Sequence, residues 1–258
     1  MELGIAGRRA LVCASSSGLG LACAAALARE GCSVWINGRD RGRLEQARAR
    51  IAAEGGEVRA VAADLVTAQG REALLAACPQ PDILVTNNAG PPPGELGDWD
   101  HGAWIAALEA NLLAPLLLVR AVLPGMRERR FGRIVNITSA MVKSPRPAMA
   151  LSTTARTGLT AFCKAMSFEA AADNVTLNNL LPERIDTPRQ QQMAQRMVQR
   201  EGIELEEARR RIALTIAARR MGRPEEFGDA CAYLCSAQAG FISGQNLQLD
   251  GGSYPGLT

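Results

Sequence analysis

The chain has 258 residues, of which 47% are hydrophobic and 21% charged, a balance that can bury a sizeable core and excludes a disordered or low-complexity protein. Its 29 basic residues are offset by 26 acidic ones, so no electrostatic footprint for nucleic acid or an anionic membrane emerges. The seven cysteines (13, 23, 32, 78, 163, 231 and 235) lie mostly in apolar stretches without zinc-type pairing, and there is a single histidine; reduced thiols and no metal site are expected.

Short runs rich in Val and Ile alternate with longer helical patterns along the whole chain. Strands are expected near 9–14, 33–37, 57–61, 82–86, 133–138, 175–181 and 246–249, with helices between them. That alternation predicts an α/β protein: one Rossmann-type domain over residues 1–258, a doubly wound parallel sheet with helices on both faces. The start "MELGIAGRRALV" lacks a signal-peptide h-region, and apolar runs such as "ANLLAPLLLVRAVL" are interrupted by Asn111, Pro115 and Arg120. A cytoplasmic protein without membrane contact is the expectation.

In chain order, the first strand runs into "SSSGLG" and then the helical "LACAAALAREG". A glycine-bearing strand-to-helix turn of this kind lets backbone N–H groups and the helix dipole meet a pyrophosphate. The second strand ends in "INGRD", where a dinucleotide fold places an acid for NAD or an arginine for NADP. Gly38 takes the acid position and Arg39 follows, so NADP(H) is preferred over NAD(H); alternatively Arg39 is an exposed loop arginine beside a helix cap at Asp40. The fourth strand opens into the rigid "NNAGPPPGELGDWD" (87–100), followed by His101, a surface residue at a helix start. Residues 188–221 form a charged helical insertion after the sixth strand, either a solvated helix pair or a substrate lid.

The whole chain resembles the short-chain dehydrogenase/reductase family, most closely its branch that includes the 3-oxoacyl-carrier-protein reductases. The family's GxxxGxG turn falls on Ala14, Gly18 and Gly20, with Ser16 and Leu19 completing it. Alanine replaces the first glycine, which is unstrained if φ there is negative and strained if it is positive. The resemblance further implies that Asp64, with Leu65, holds the adenine and that Asn88, Ala89 and Gly90 of "NNAG" line the cofactor. It assigns Pro182, Ile185 and Thr187 of "LPERIDT" to the flank of the nicotinamide, with Glu183 standing in place of the usual glycine. Asn111 matches the helix asparagine of the proton relay, and Ser139 in "GRIVNITSA" the catalytic serine. The stretch 222–252 matches the family's closing signature.

One motif departs from the pattern. The family's tyrosine lies thirteen residues after the serine and its lysine four further on; with Ser139 fixed, these positions are Ser152 and Arg156. A phenol can be tuned toward neutrality by an adjacent cation, whereas a serine hydroxyl is too weakly acidic and arginine does not relay protons. Ser139 and Ser152 holding a water, Arg156 acting electrostatically, or Lys143 reaching in from "SAMVKSPRP" are the candidate replacements, and Arg156 is also a candidate ribose ligand. The leading expectation is an NADP(H)-dependent oxidoreductase of a small carbonyl or alcohol with a non-standard proton relay. The competing ones are a non-catalytic dinucleotide-binding sensor or oligomer partner, and lyase or isomerase chemistry on the same scaffold. The resemblance implies a homodimer or homotetramer acting on a small molecule.

Overall fold

A computed structural model describes residues 2–257. Seven strands are present: β1 (Arg9–Val12), β2 (Ser33–Gly38), β3 (Val58–Ala62), β4 (Ile83–Thr86), β5 (Gly132–Ile137), β6 (Val175–Pro182) and β7 (Asn246–Leu249). They form one sheet in the order β3-β2-β1-β4-β5-β6-β7, parallel at every pairing. Chain order reverses between β1 and β4, and the C-terminal ends of those strands open a crevice there.

Each central strand is apolar on both faces because helices cover both. On one side Val12, Ile36, Val85 and Val135 pack against α1 (Gly18–Arg29) and α9 (Pro224–Cys235) through Leu27 and Phe227. On the other, Leu11, Leu84, Ile134 and Leu177 meet α3 (Ala68–Ala77), α5 (Ala114–Glu128) and α6 (Ala150–Ala170) through Leu74, Leu118 and Cys163. Each such fully buried aliphatic side chain stabilises the fold by roughly 1.5–3 kcal/mol. All seven cysteines are buried in these layers.

Local signals start the helices. Asp40 Oδ1 accepts from Arg43 N at 3.0 Å to cap α2 (Arg41–Ala53), and Asp100 Oδ1 accepts from Ala103 N at 2.8 Å to cap α4 (His101–Leu108). A π-helical turn, Glu109–Leu113, joins α4 to α5, so 101–128 is one long helix. That helix is long and apolar enough to cross a membrane by composition, but Ala107, Ala114, Leu118, Val119, Val122 and Met126 are buried in the core of the domain.

The 188–221 stretch folds as α7 (Pro188–Glu201) and α8 (Leu205–Leu214), joined through Gly202 at φ +65°. The pair has a small core of its own, Ala194, Ala208 and Ile212. It is tied to the body by Arg209 to Asp186 at 2.8 Å and by Arg189 Nη2 donating to Pro91 O at 3.1 Å.

Candidate active site

The turn after β1 is held by a tight polar lattice. Ser15 Oγ donates to Val12 O at 2.7 Å and accepts from Asn37 N at 2.9 Å, while Ala14 N donates to Asn37 Oδ1 at 3.3 Å. Asn87 Nδ2 donates to Ala14 O at 3.1 Å, so the first Asn of "NNAG" ties β4 to the turn. Ala14 has φ +43°, a left-handed conformation that an alanine occupies at a cost of roughly 1–2 kcal/mol. The expectation framed on the sign of φ therefore resolves to strain, overridden by the hydrogen bonds around it.

Gly20 is required by close approach: a Cβ there would sit 2.5 Å from Ala14 O. The N-cap Ser17 makes no side-chain hydrogen bond to α1, which leaves that helix's first N–H groups and its positive end unclaimed. Thr187, at the start of α7, faces the turn, its Cβ lying 3.8 Å from where a Gly18 methyl would be. Pro182 ends β6, Ile185 bridges to Gly222, and the 182–187 strip is thereby brought beside Gly18. These bare backbone donors and the missing side chains form a cradle that fits a dinucleotide pyrophosphate.

At the other end of the turn, Gly38 abuts Ser16, whose Oγ would be 3.1 Å from an added Cβ. Arg39 is three-quarters exposed, and its Nη1 lies 3.9 Å from Asp64 Oδ2. Asp64 Oδ1 accepts from Val66 N at 3.1 Å, and Leu65 is buried beneath. Asp40 is the helix cap that the alternative reading of "GRD" required, and Arg39 is exposed within ion-pair distance of Asp64.

The loop 88–90 is gripped from three directions. Asn88 Nδ2 donates to Ala110 O at 3.0 Å, the buried Asn111 of the π-helical turn approaches Ala89 O at 3.5 Å, and Arg156 Nη2 donates to Asn88 O at 3.3 Å. The π-helical turn is what aims Asn111 at this loop. Arg156 also donates through Nη1 to Ile137 O at 2.8 Å and Thr138 O at 2.5 Å, so its guanidinium binds the backbone ends of β4 and β5. It is buried with no carboxylate beside it, and burial, with the charge of Arg189, pushes its pKa down to about 10. Nothing in the sequence signalled this clamp, because its acceptors belong to other strands.

Gly90 brings the pieces together: a Cβ there would lie 3.4 Å from Arg156 Nη2 and 3.7 Å from Ser152 Oγ. Ser139 Oγ accepts from Met141 N at 3.2 Å at the end of β5, which leaves its O–H free to donate. Lys143 places its Nζ 5.4 Å from the ring centre of Tyr254. Glu183 is engaged by Arg146 at 3.2 Å. His101 is exposed at the start of α4. Beside Gly90 lies a cavity of about 450 Å³ walled by Pro91, Trp99, Ala103, Ala107, Asn111 and Leu151 among others, a feature that sequence reasoning missed. Only the triple proline and the alanine-rich helix face hinted at it.

Residues 13–254 match a family model described as enoyl-(acyl carrier protein) reductase. Dehydrogenase/reductase SDR family member 4 of Pongo abelii is 33% identical over 254 residues, covering 96% of this chain and 88% of that protein. Among solved structures, the L-sorbose reductase of Gluconobacter frateurii in complex with NADPH and L-sorbose superposes with a TM-score of 0.94 at 28% identity, both chains covered fully. A 3-oxoacyl (acyl-carrier-protein) reductase from Agrobacterium tumefaciens with NADP bound gives 0.88 at 30% identity, over 97% of this chain and 96% of that one.

Proposed function

This chain belongs to the short-chain dehydrogenase/reductase family, and from that premise we propose that it is an NADP(H)-dependent oxidoreductase of a small carbonyl or alcohol that works without a tyrosine proton donor. The observation that carries the reading is the cradle at 14–20, with its uncapped α1 and its Thr187 wall, together with a Ser139 hydroxyl left free to donate at the end of β5. When bound in this cradle, NADPH would supply a hydride to the carbonyl carbon and water the proton that completes the alcohol, the reverse reaction returning both.

The chain's own groups do the positioning. Ser16, Gly38 and Arg39 leave a site open to a 2′-phosphate, where an acid would have been needed to select the free ribose; the NADPH and NADP complexes of two structural relatives support this preference. Asp64 and Leu65 bound the adenine end. At the reacting end the Ser139 and Ser152 hydroxyls donate to the carbonyl oxygen, and the buried Arg156 charge favours negative charge developing there. Neither serine is acidic enough to give up its proton, so general acid assistance, typically worth 10²–10⁴-fold, is forgone and turnover is correspondingly slow.

The test is titration with NADPH and NADH followed by a carbonyl panel monitored by nicotinamide absorbance. NADPH-selective binding with turnover that Ser139→Ala abolishes is expected. Tight binding with no turnover on any carbonyl or alcohol would refute the catalytic reading. The non-catalytic sensor reading draws on one observation, that Arg156 directs three hydrogen bonds to backbone carbonyls of the fold itself. It requires exactly that null result together with a ligand-dependent change in assembly. Homo-oligomerisation through the faces of 101–128 and α6 is part of either reading, and light scattering with and without NADPH measures it.

A further inference from the structure

The charge around the 188–201 helix is unevenly compensated. On α8, Arg209, Arg210 and Arg211 are all paired with carboxylates, Asp186, Glu207 and Glu201 among them. Among the described residues, Arg184, Arg189 and Arg196 have no carboxylate within ion-pair distance. Arg189 instead donates to Pro91 O at 3.1 Å, and Arg184 to Gln190 Oε1 at 3.4 Å. Arg156 reaches the same loop one residue earlier, with Nη2 3.4 Å from the Cβ position of Gly90. Two guanidiniums thus flank the Gly90–Pro91 peptide, within reach of Ser152, and the nearest acids are otherwise engaged: Glu183 with Arg146, and Asp98 with the backbone N–H of Glu95.

Such an arrangement is costly while empty. Arg189 is held below its ordinary pKa by partial burial and by Arg196, and Arg156 by burial and by Arg189, so an added anion would be favoured by both. The same loop borders the cavity of about 450 Å³, whose wall of Ala103, Ala107, Trp99 and Leu151 is apolar and whose size is that of a small-ligand site.

We infer that the substrate is an apolar oxo acid or hydroxy acid, its carboxylate bound by Arg189 at the mouth of the cleft and its hydrocarbon body housed in the cavity beside Gly90. This rests on the oxidoreductase reading for the reaction itself, in which hydride from NADPH and a proton from water convert the oxo group to an alcohol. The anion site, however, is tested separately by binding.

The binding experiment is calorimetry on the full chain saturated with NADP⁺, with hexanoate and hexanamide as probes, for wild type and Arg189→Gln, a variant that retains a donor to Pro91 O. Hexanoate is expected to bind at least tenfold more tightly than hexanamide, and Arg189→Gln to erase the difference while leaving NADPH affinity unchanged. Equal affinities in the wild type, or a preference that survives Arg189→Gln, would overturn the proposal. A tenfold loss of NADPH affinity in the variant would also overturn it, by assigning Arg189 to the cofactor phosphates. In the turnover arm, 3-oxohexanoate is expected to exceed its methyl ester at least tenfold in kcat/KM, with the gap closed in Arg189→Gln. Absence of NADPH oxidation with acid and ester alike would refute the oxidoreductase reading, and a hexanoate preference would then still stand as evidence for the anion site.

Discussion

Ala14→Gly isolates the strain in the nucleotide turn. The alanine sits at φ +43°, where its Cβ crowds the carbonyl, at a cost of roughly 1–2 kcal/mol that glycine escapes. Glycine loses more conformational freedom on folding, which takes back about 0.4–1 kcal/mol. The net expectation is stabilisation by about 0.5–1 kcal/mol, or a Tm higher by roughly 1–4 °C for a chain of this size. The bonds to Asn37 and Asn87 use Ala14 backbone atoms only, so the substitution leaves them in place. Ala14→Val serves as the contrast, since a β-branched residue in this region is a severe outlier and should lose more than 1 kcal/mol. Urea and thermal unfolding followed by circular dichroism read both variants, and NADPH affinity should hold or improve in Ala14→Gly. A glycine variant less stable than wild type by 0.5 kcal/mol or more would refute the strain argument, because it would mean that only the unfolded-state entropy had changed.

Four further outcomes are expected. Arg156→Met removes donors to Ile137 O, Thr138 O and Asn88 O but relieves a buried cation, and should cost about 2 kcal/mol in urea unfolding; no loss would show that the carbonyl clamp is energetically idle. Ser152→Tyr with Arg156→Lys should raise kcat by about 10²-fold or more on any substrate turned over, measured by stopped-flow absorbance. Arg39→Ala should raise the Kd for NADPH about tenfold or more and leave that for NADH unchanged, as read by fluorescence titration. Alkaline pH supplies the last: burial pushes the thiols of Cys13, Cys32, Cys78 and Cys163 up to about 12, from an ordinary 9 in the unfolded chain. Between those values the unfolded state has lost protons that the folded state keeps, so stability is intact below pH 9 and falls as pH rises. At pH 10 the four thiols together remove about 5 kcal/mol, which urea midpoints at pH 8 and pH 10 would detect.

The seven strands were legible in the sequence to within one or two residues, because a parallel sheet covered on both faces demands unbroken Val- and Ile-rich runs. The phosphate turn was legible from Gly18 and Gly20, and the Asp40 cap from its position before "RGRLEQ". Three features of the site were not. The sign of φ at Ala14 is decided by Asn37 and Asn87, residues 23 and 73 positions away. Arg156 was read as a candidate ribose ligand or electrostatic group, and its hydrogen bonds to the ends of two other strands were not visible in the sequence; a residue's type fixes what it can donate, and the topology fixes what it meets. Lys143 was offered as one candidate for the reacting centre, and its approach to the ring of Tyr254, over a hundred residues later, could not be read from the sequence.

The distribution of sulfur has a use that the fold itself supplies. Every cysteine is buried in the two layers that cover the sheet, and none lies in α7 or α8. A thiol-reactive reagent added to the native protein should therefore remain unconsumed through any opening confined to the helix pair, and be consumed only when the body opens. Labelling rates and a probe placed on 188–214 would then separate two clocks in one molecule: the helix pair's, set by its two tethers to the body, and the domain's, set by the cooperative loss of the sheet.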